Sequence, residues 1–303
     1  MFHPNPGRRA ALGVAGAAVL LLSLAACGEK ENSAEPGDGP SVSATADSNL
    51  AAKVPDAIKA DGVIKVGTDS TYAPAEFLDQ DGKTVVGFDV ELFNAVAQKL
   101  GLKAEYESAP FDAILPGVGS GKYEVGVSSF TINADRLKTV NMVSYYSAGT
   151  QWATKKGNPA GVDPENACGK KIAVQVGTVQ LDDITARSKK CTDAGKPAIK
   201  IDQYQAQSDA TAAVGSGKND AMLADSPVGA YAVKQSNGQL EVLGDIYESA
   251  PYGYAVNKEQ QAFAEVLKEA VQAVIADGSY KAALSKWGVE GGAITNAELN
   301  PSV

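Results

Sequence analysis

The chain has 303 residues, 44% of them hydrophobic, and a formal net charge of -9, enough for one large domain or two compact ones with real cores. The acidic balance and the lack of a basic stretch exclude a nucleic-acid footprint. The single histidine, His3, leaves no residues for histidine-based catalysis or a histidine metal site, and no cofactor is expected.

At the N-terminus, Arg8 and Arg9 precede an apolar run over 10–26, "AALGVAGAAVLLLSLAA", which ends in small residues. The run is short for a spanning helix and has the layout of an export signal. "LAAC" over 24–27 resembles a lipoprotein signal, which implies cleavage before Cys27 and lipid on its sulfur. Such a chain sits on the outer face of a membrane, held by its lipid. Residues 27–54 are polar, rich in Gly, Pro and Ser, and read as a disordered tether. Only Cys168 and Cys191 then remain as cysteines, in an oxidising compartment, and a disulfide between them is expected. Such a local bridge would stabilise by about 3 kcal/mol on the chain-entropy estimate.

From residue 63 on, strand and helix patterns alternate. "VIKVG" at Val63–Gly67 reads as a strand, and 89–100 places Val90, Phe93, Val96, Ala97 and Leu100 on one helical face with Gly101 as a stop. "KAEYES" reads as a strand, "FDAILPGV" as a short helix disturbed by Pro116 and Gly117, and "EVGVSS" as a third strand. A second round follows: strand 171–177, helix 179–188, strand 198–202, helix 205–214, strand 220–225 and helix 227–234. Helices over 259–275 and 280–287 close the pattern. Two successive rounds of this kind predict two α/β lobes with sheets covered on both faces.

The pentapeptide "VGSGK" occurs in both rounds, at 118–122 and 214–218, each time between a helix and a strand. A phosphate loop needs a glycine, four intervening residues, then the Gly-Lys pair followed by Ser or Thr. Here those places hold Pro116 and Tyr123 in one copy, and Ala212 and Asn219 in the other. The repeat instead marks one structural corner used twice. Ser129 and Asp225 stand at the same offset from the two copies, just past strand ends, where open α/β sheets present ligand groups.

Three stretches carry a resemblance to a known family: 66–101, "VGTDSTYAPAEFLDQDGKTVVGFDVELFNAVAQKLG"; 111–140, "FDAILPGVGSGKYEVGVSSFTINADRLKTV"; and 171–180, "KIAVQVGTVQ". Together they resemble bacterial extracellular solute-binding protein family 3, the polar amino acid receptors of ABC importers, over about 57–288. The resemblance implies a periplasmic-binding-protein-like type II fold, two lobes around a ligand cleft, joined by a two-segment hinge near 146–152 and 252–257. Lobe 1 would comprise 55–147 plus 257–290, lobe 2 148–256, and 291–303 a flexible C-terminal tail. The expected partners are a free L-amino acid and the membrane subunits of an ABC permease, and the expected state is a monomer.

The resemblance also assigns residues. Arg136 matches the carboxylate-binding arginine, whose planar fork pairs bidentately. Ser129 and Thr131 match positions that bring hydroxyl and backbone groups to the ligand. The backbone amide of Thr178, at a helix start, matches a second carboxylate donor. Asp225 matches the acid for the α-ammonium, and Asp69 an acid that meets the ligand's side chain or amine. Tyr72 and Phe111 match the positions that sandwich the side chain, and Gln175 one that varies with specificity. The sequence departs from the family at Ala75, where an aromatic is usual, and at Glu124, Asn133 and Val179. Asp69, with no Lys or Arg near the positions matched to the ligand's side chain, disfavours glutamate or aspartate and leaves a basic or neutral polar ligand: arginine, lysine, histidine, glutamine or a cystine-like molecule. Two rivals are an enzyme on the same fold, such as a cyclohexadienyl dehydratase-like protein using Asp69 or Asp225 as general acid, and a ligand-sensing module, which usually has a spanning segment that is not seen after Trp287.

Overall fold

The structure, a computed structural model, describes residues 42–302. The expected leader, Cys27 and most of the expected tether lie outside the described residues.

The first lobe opens with α1 (Ser48–Lys53) and α2 (Asp56–Lys59). Asp47 caps α1, its carboxylate accepting the Asn49 and Leu50 amides at 2.8 and 3.3 Å. These residues are folded, in contrast to a tether running to 54. Leu50 and Val54 are buried, Val42 and Ala44 pack on the same core, and the Ala44 amide donates to Gln98 at 2.7 Å. Apolar residues spaced among polar ones were enough to bury one face of a short helix.

β1 (Val63–Thr68) leads into a small separate antiparallel sheet of β2 (Thr71–Tyr72), β3 (Glu76–Leu78) and β4 (Val85–Val86). Then come α3 (Phe88–Lys99), β5 (Lys103–Ser108), α4 (Phe111–Gly119), β6 (Val125–Gly126), α5 (Ala134–Thr139) and β7 (Val140–Lys155). The second round is β8 (Lys171–Gln175), α6 (Val179–Asp193), β9 (Lys200–Tyr204), α7 (Gln207–Ser216), β10 (Ala221–Asp225), α8 (Ser226–Gln235) and β11 (Leu240–Asn257). The chain ends with α9 (Gln261–Asp277), α10 (Ser279–Trp287) and a 3-10 turn at Glu290–Gly292.

The main sheet runs β5-β1-β6-β11-β7-β10-β8-β9. β1 is parallel to β5 and β6, and β8 is parallel to β9 and β10. Between the two parallel sets run β7 and β11, paired antiparallel from Val140↔Asn257 to Lys155↔Leu240. β6 pairs with the Ala255–Val256 end of β11, and β10 with the Thr150–Thr154 part of β7. The two long strands therefore each pass from one lobe to the other. Register shifts between Leu243 and Tyr247, Tyr247 and Ala250, and Tyr252 and Gly253 interrupt the ladder along the crossing.

Each lobe covers its sheet on both faces. In lobe 1, Ile64, Phe93, Tyr254 and Phe263 pack on one side and Phe111, Ile114, Tyr123 and Phe130 on the other. In lobe 2, Trp152, Ile172, Ile184 and Leu223 form one core and Ala153, Ala210, Val214 and Met222 the other. The Cys168–Cys191 disulfide ties α6 to the loop before β8 across a Cα separation of 5.6 Å.

Residues past 290 are also folded, in contrast to a flexible tail. β10 covers only Thr150–Thr154 of β7, so the Val140–Ser144 edge on that side is open. Glu298–Asn300 fills it: the Ser144 amide donates to the Glu298 carbonyl and the Asn300 amide to the Met142 carbonyl, both at 2.8 Å. Unsatisfied strand-edge groups are the physical reason the tail docks.

Both "VGSGK" copies form the same helix-to-strand corner. Gly121 and Gly217, the equivalent glycines, adopt φ +78° and +80°, left-handed values that favour glycine. Lys122 pairs with Glu107 at 2.6 Å, and Lys218 lies over the Tyr204 ring.

Candidate functional site

The elements that approach the lobe boundary bring most of the expected residues around one small cavity. It is lined by Tyr72, Phe111, Ser129, Thr131, Arg136, Thr178, Val179, Gln180 and Asp225, and measures about 10 Å³. That is room for about one water molecule at most. An amino acid can occupy it only when the lobes part.

Arg136 lies on α5, whose start is capped by the Asn133 side-chain Oδ1 accepting the Arg136 amide at 2.8 Å. Asn133, a departure from the family pattern, thus serves as a helix cap. The guanidinium donates to the Thr131 carbonyl at 2.8 Å and, across the cleft, to the Gly177 carbonyl at 3.1 Å. It lies 5.5 Å from both the Phe111 and Phe130 rings, which stack on each other at 4.8 Å. Burial pulls the Arg136 pKa down to about 10, with Asp225 and Asp182 opposing, so the group stays charged at neutral pH.

Asp225 ends β10 and begins α8. Its carboxylate accepts from Tyr72 Oη at 2.8 Å and from Gln180 Nε2 at 2.8 Å. Burial raises its pKa, while Tyr252, Tyr72, Gln180 and Arg136 oppose the rise. Tyr72 belongs to lobe 1, so its bond to Asp225 closes the cleft directly. A cation and an anion therefore face one enclosed space from opposite lobes, each held by neutral polar partners.

Thr178 caps the fifteen-residue α6, its hydroxyl oxygen accepting the Leu181 amide at 3.2 Å. This sets the first turn of α6, and its partial positive end, against the cavity. Ser129 has φ +51°, and both its amide and its hydroxyl donate to Asp89, at 3.0 and 3.1 Å. Ser129, matched with Thr131 to positions that bring hydroxyl and backbone groups to a ligand, lines the cavity while its hydroxyl donates to the buried carboxylate below.

Asp69 and Gln175 do not line this cavity. They bond to each other, Gln175 Nε2 donating to Asp69 Oδ2, and Gln175 also donates to the Gln205 carbonyl at 2.9 Å. Asp69 further accepts the Thr71 amide and hydroxyl, and Thr71 Oγ1 accepts the Gln207 amide at 3.2 Å. Burial raises the Asp69 pKa. This is a second bridge between the lobes, beside the first.

Two residues around the site were not assigned from sequence. Gln180, within the quoted "VGTVQ", connects Asp225 to Thr150; a polar side chain in the first turn of a helix that starts at the strand ends was the available signal. Asp89 was read only as the start of a helix. Among the departures, Ala75 is fully buried with its carbonyl accepting the Asp89 amide at 3.1 Å, and Glu124 accepts the Lys65 amide at 2.8 Å. Neither faces the cavity.

The model of the bacterial extracellular solute-binding proteins, family 3, matches residues 64–290. The arginine-binding protein ArgT of Corynebacterium glutamicum is 34% identical over 301 residues, covering 99% of this chain and 98% of its own. Among solved structures, an ancestral arginine-binding protein bound to arginine superposes with a TM-score of 0.69 at 35% identity, over 75% of this chain and 98% of that one. An ancestral amino acid-binding protein described as a precursor of cyclohexadienyl dehydratase superposes at 0.66 with 31% identity, over 79% and 99%. The likeness bears on the enzyme rival, because that relative is itself an amino acid-binding protein. Two α/β lobes, a sheet continuous through two crossing strands and the family match agree: this chain belongs to the bacterial extracellular solute-binding proteins, family 3, which act outside the cytoplasm.

Proposed function

We propose that the chain captures free L-arginine between its lobes and presents it to an ABC permease. The observation that carries this reading is the pairing of Arg136 and Asp225 on opposite walls of one enclosed space. An α-amino acid offers the complementary pair, a carboxylate and an ammonium, a short distance apart. Its carboxylate takes the Arg136 fork from the Thr131 and Gly177 carbonyls, because a bidentate charged bond outcompetes neutral ones. The start of α6 at Thr178 adds amide donors from lobe 2. The ammonium goes to Asp225, displacing the Tyr72 hydroxyl, and Thr131 and the Ser129 segment line the lobe 1 wall.

A cationic side chain running between Tyr72 and Phe111 toward Asp69 explains a second buried acid beside the first, bridged by Gln175. Arginine is preferred over lysine, histidine, glutamine and cystine because a guanidinium can bond to the Asp69 carboxylate and the Gln175 amide oxygen together. The arginine-binding relatives support the same choice. The β7 and β11 crossing is the hinge, and ligand bridges the lobes on closing. Lipid on Cys27 keeps the captured ligand near the membrane.

A calorimetric titration of the full-length mature chain with the common amino acids tests this. Arginine should bind most tightly. Tighter binding of a neutral or acidic amino acid would reject the role given to Asp69. Mass spectrometry of the membrane-extracted protein should find lipid on Cys27, and an unmodified Cys27 would remove the anchor.

A further inference from the structure

Beneath the Ser129 segment lie two carboxyl side chains that ligand capture does not use directly. Glu76 comes from β3 and Asp89 from the first turn of α3, and both are 0% exposed. Neither forms an ion pair among the described residues. Asp89 Oδ2 accepts the Ser129 amide, the Ser129 hydroxyl and the Tyr145 hydroxyl. Glu76 Oε1 accepts the Ser128 hydroxyl at 2.9 Å, and Ser128 Oγ in turn accepts the Asp69 amide at 3.0 Å.

One oxygen of each acid is left over. Glu76 Oε2 and Asp89 Oδ1 are fully buried and no donor reaches either, although the two side chains are near neighbours. Two neighbouring buried carboxylates with no cation beside them repel, and a single proton on one of them would give both leftover oxygens a partner. Burial raises the pKa of both acids. Glu76 is raised the more strongly, with the Asp89 charge adding to burial, whereas the donors from Tyr145 and Ser129 hold Asp89 back. The ionisable groups facing the pair are Asp69 and the hydroxyls of Tyr72, Tyr106, Tyr145, Tyr146, Tyr254 and Tyr280. Every one of these tyrosines is shifted upward and so stays neutral.

We propose that Glu76 and Asp89 share one proton and act as a positioning pair for the lobe 1 wall of the cleft. The Glu76 hydroxyl donates to Asp89 Oδ1. Asp89 stays ionised and holds both donors of Ser129, keeping that residue in a left-handed conformation that disfavours residues other than glycine. Glu76 holds Ser128, and through it the backbone of Asp69. The pair thus fixes two neighbouring segments of the wall from below. Its effect on binding rests on the amino acid capture reading; the shared proton does not.

Infrared difference spectroscopy between wild type and Glu76→Gln, on the full chain at mildly alkaline pH, tests the proton directly. Wild type should show the C=O stretch of one buried protonated carboxyl, and E76Q should lack it. No such band, or a band that survives in E76Q, overturns the proposal. Function is read by arginine titration: Glu76→Leu should weaken binding about tenfold, and E76Q, whose amide restores a donor to Asp89, should recover most of it. E76Q as weak as E76L, with melting temperatures equal, would reject the positioning role. A wild type that binds no amino acid yet shows the band and loses it in E76Q would refute capture and support the shared proton.

Discussion

Lobe 1 orders its parallel strands β5-β1-β6 from the outer edge inward, and lobe 2 repeats the plan as β9-β8-β10, each set ending against the β7–β11 pair. The repeated corners with Gly121 and Gly217 fall just before β6 and β10. The lobes differ in what holds them together. Lobe 1 packs Phe88, Phe93, Tyr145, Tyr254 and Phe263 and closes its open strand edge with the C-terminal segment. Lobe 2 uses many small side chains, Ala153, Ala173, Ala210 and Ala221 among them, and a disulfide. A smaller apolar core yields less burial energy, and a covalent tie offsets the deficit. The lobes differ in charge too: the cation on the cleft is Arg136 of lobe 1 and the anion at the cavity is Asp225 of lobe 2. One plan with opposite charges gives a ligand of two charges a reason to join both halves.

The largest expected effect removes that asymmetry. Arg136→Ala should weaken arginine binding by about 4 kcal/mol, roughly a thousandfold, with the melting temperature nearly unchanged. Calorimetry that finds wild-type affinity would end the charge comparison.

The second tests lobe 2 alone. The double variant Cys168→Ala, Cys191→Ala should lose about 3 kcal/mol of stability. Hydrogen exchange should show the loss in β8, α6 and β9 while lobe 1 amides keep their protection; a uniform loss would mean that the lobes do not differ in this way.

The third tests lobe 1. Truncation before Glu298 exposes the Met142–Ser144 edge and removes Leu299 from the core, and should cost about 2 kcal/mol. Faster exchange at Met142 and Ser144 is the expected signature, and unchanged exchange would make the docked tail incidental.

The smallest effect is in pH. Arginine affinity should fall on acidification at a pH above that of an ordinary aspartate, because burial raises the Asp225 pKa and the neutral acid cannot pair with the ammonium. The ligand-free fold should respond in the opposite sense through this group. A folded pKa above the unfolded value means that folding favours the proton, so Asp225's contribution to stability falls as pH rises through that range. Titrations and melting curves over the same pH series check both signs, and affinity that holds level down to the ordinary aspartate range would remove Asp225 from the ammonium.

Much of this was legible beforehand for local reasons. Helical periodicity marked α3 and α9, since a buried stripe recurs with the turn of the helix. Most residues now around the cavity, Arg136 and Asp225 above all, were named by the family resemblance, and Gln180 was not. Three features were not legible. β2 and β4 have two residues each, too short for a period-two pattern to appear. Residues 42–54 and 291–302 look polar and loose, yet a few apolar side chains dock because the folded body offers a groove and an open edge. The turning of Ser129 onto Asp89 depends on an acid forty positions away in the chain.

The sequence by itself determined the two rounds of strand and helix, the repeated glycine corner and the chemical types available at the cleft, because these depend on neighbours along the chain. Only the tertiary structure decided how far β7 and β11 run, which edge the C-terminus closes, and that Glu76 and Asp89 are buried as neighbours beneath the Ser129 segment. Those are contacts between distant segments, and they arise only after both segments have been removed from water together.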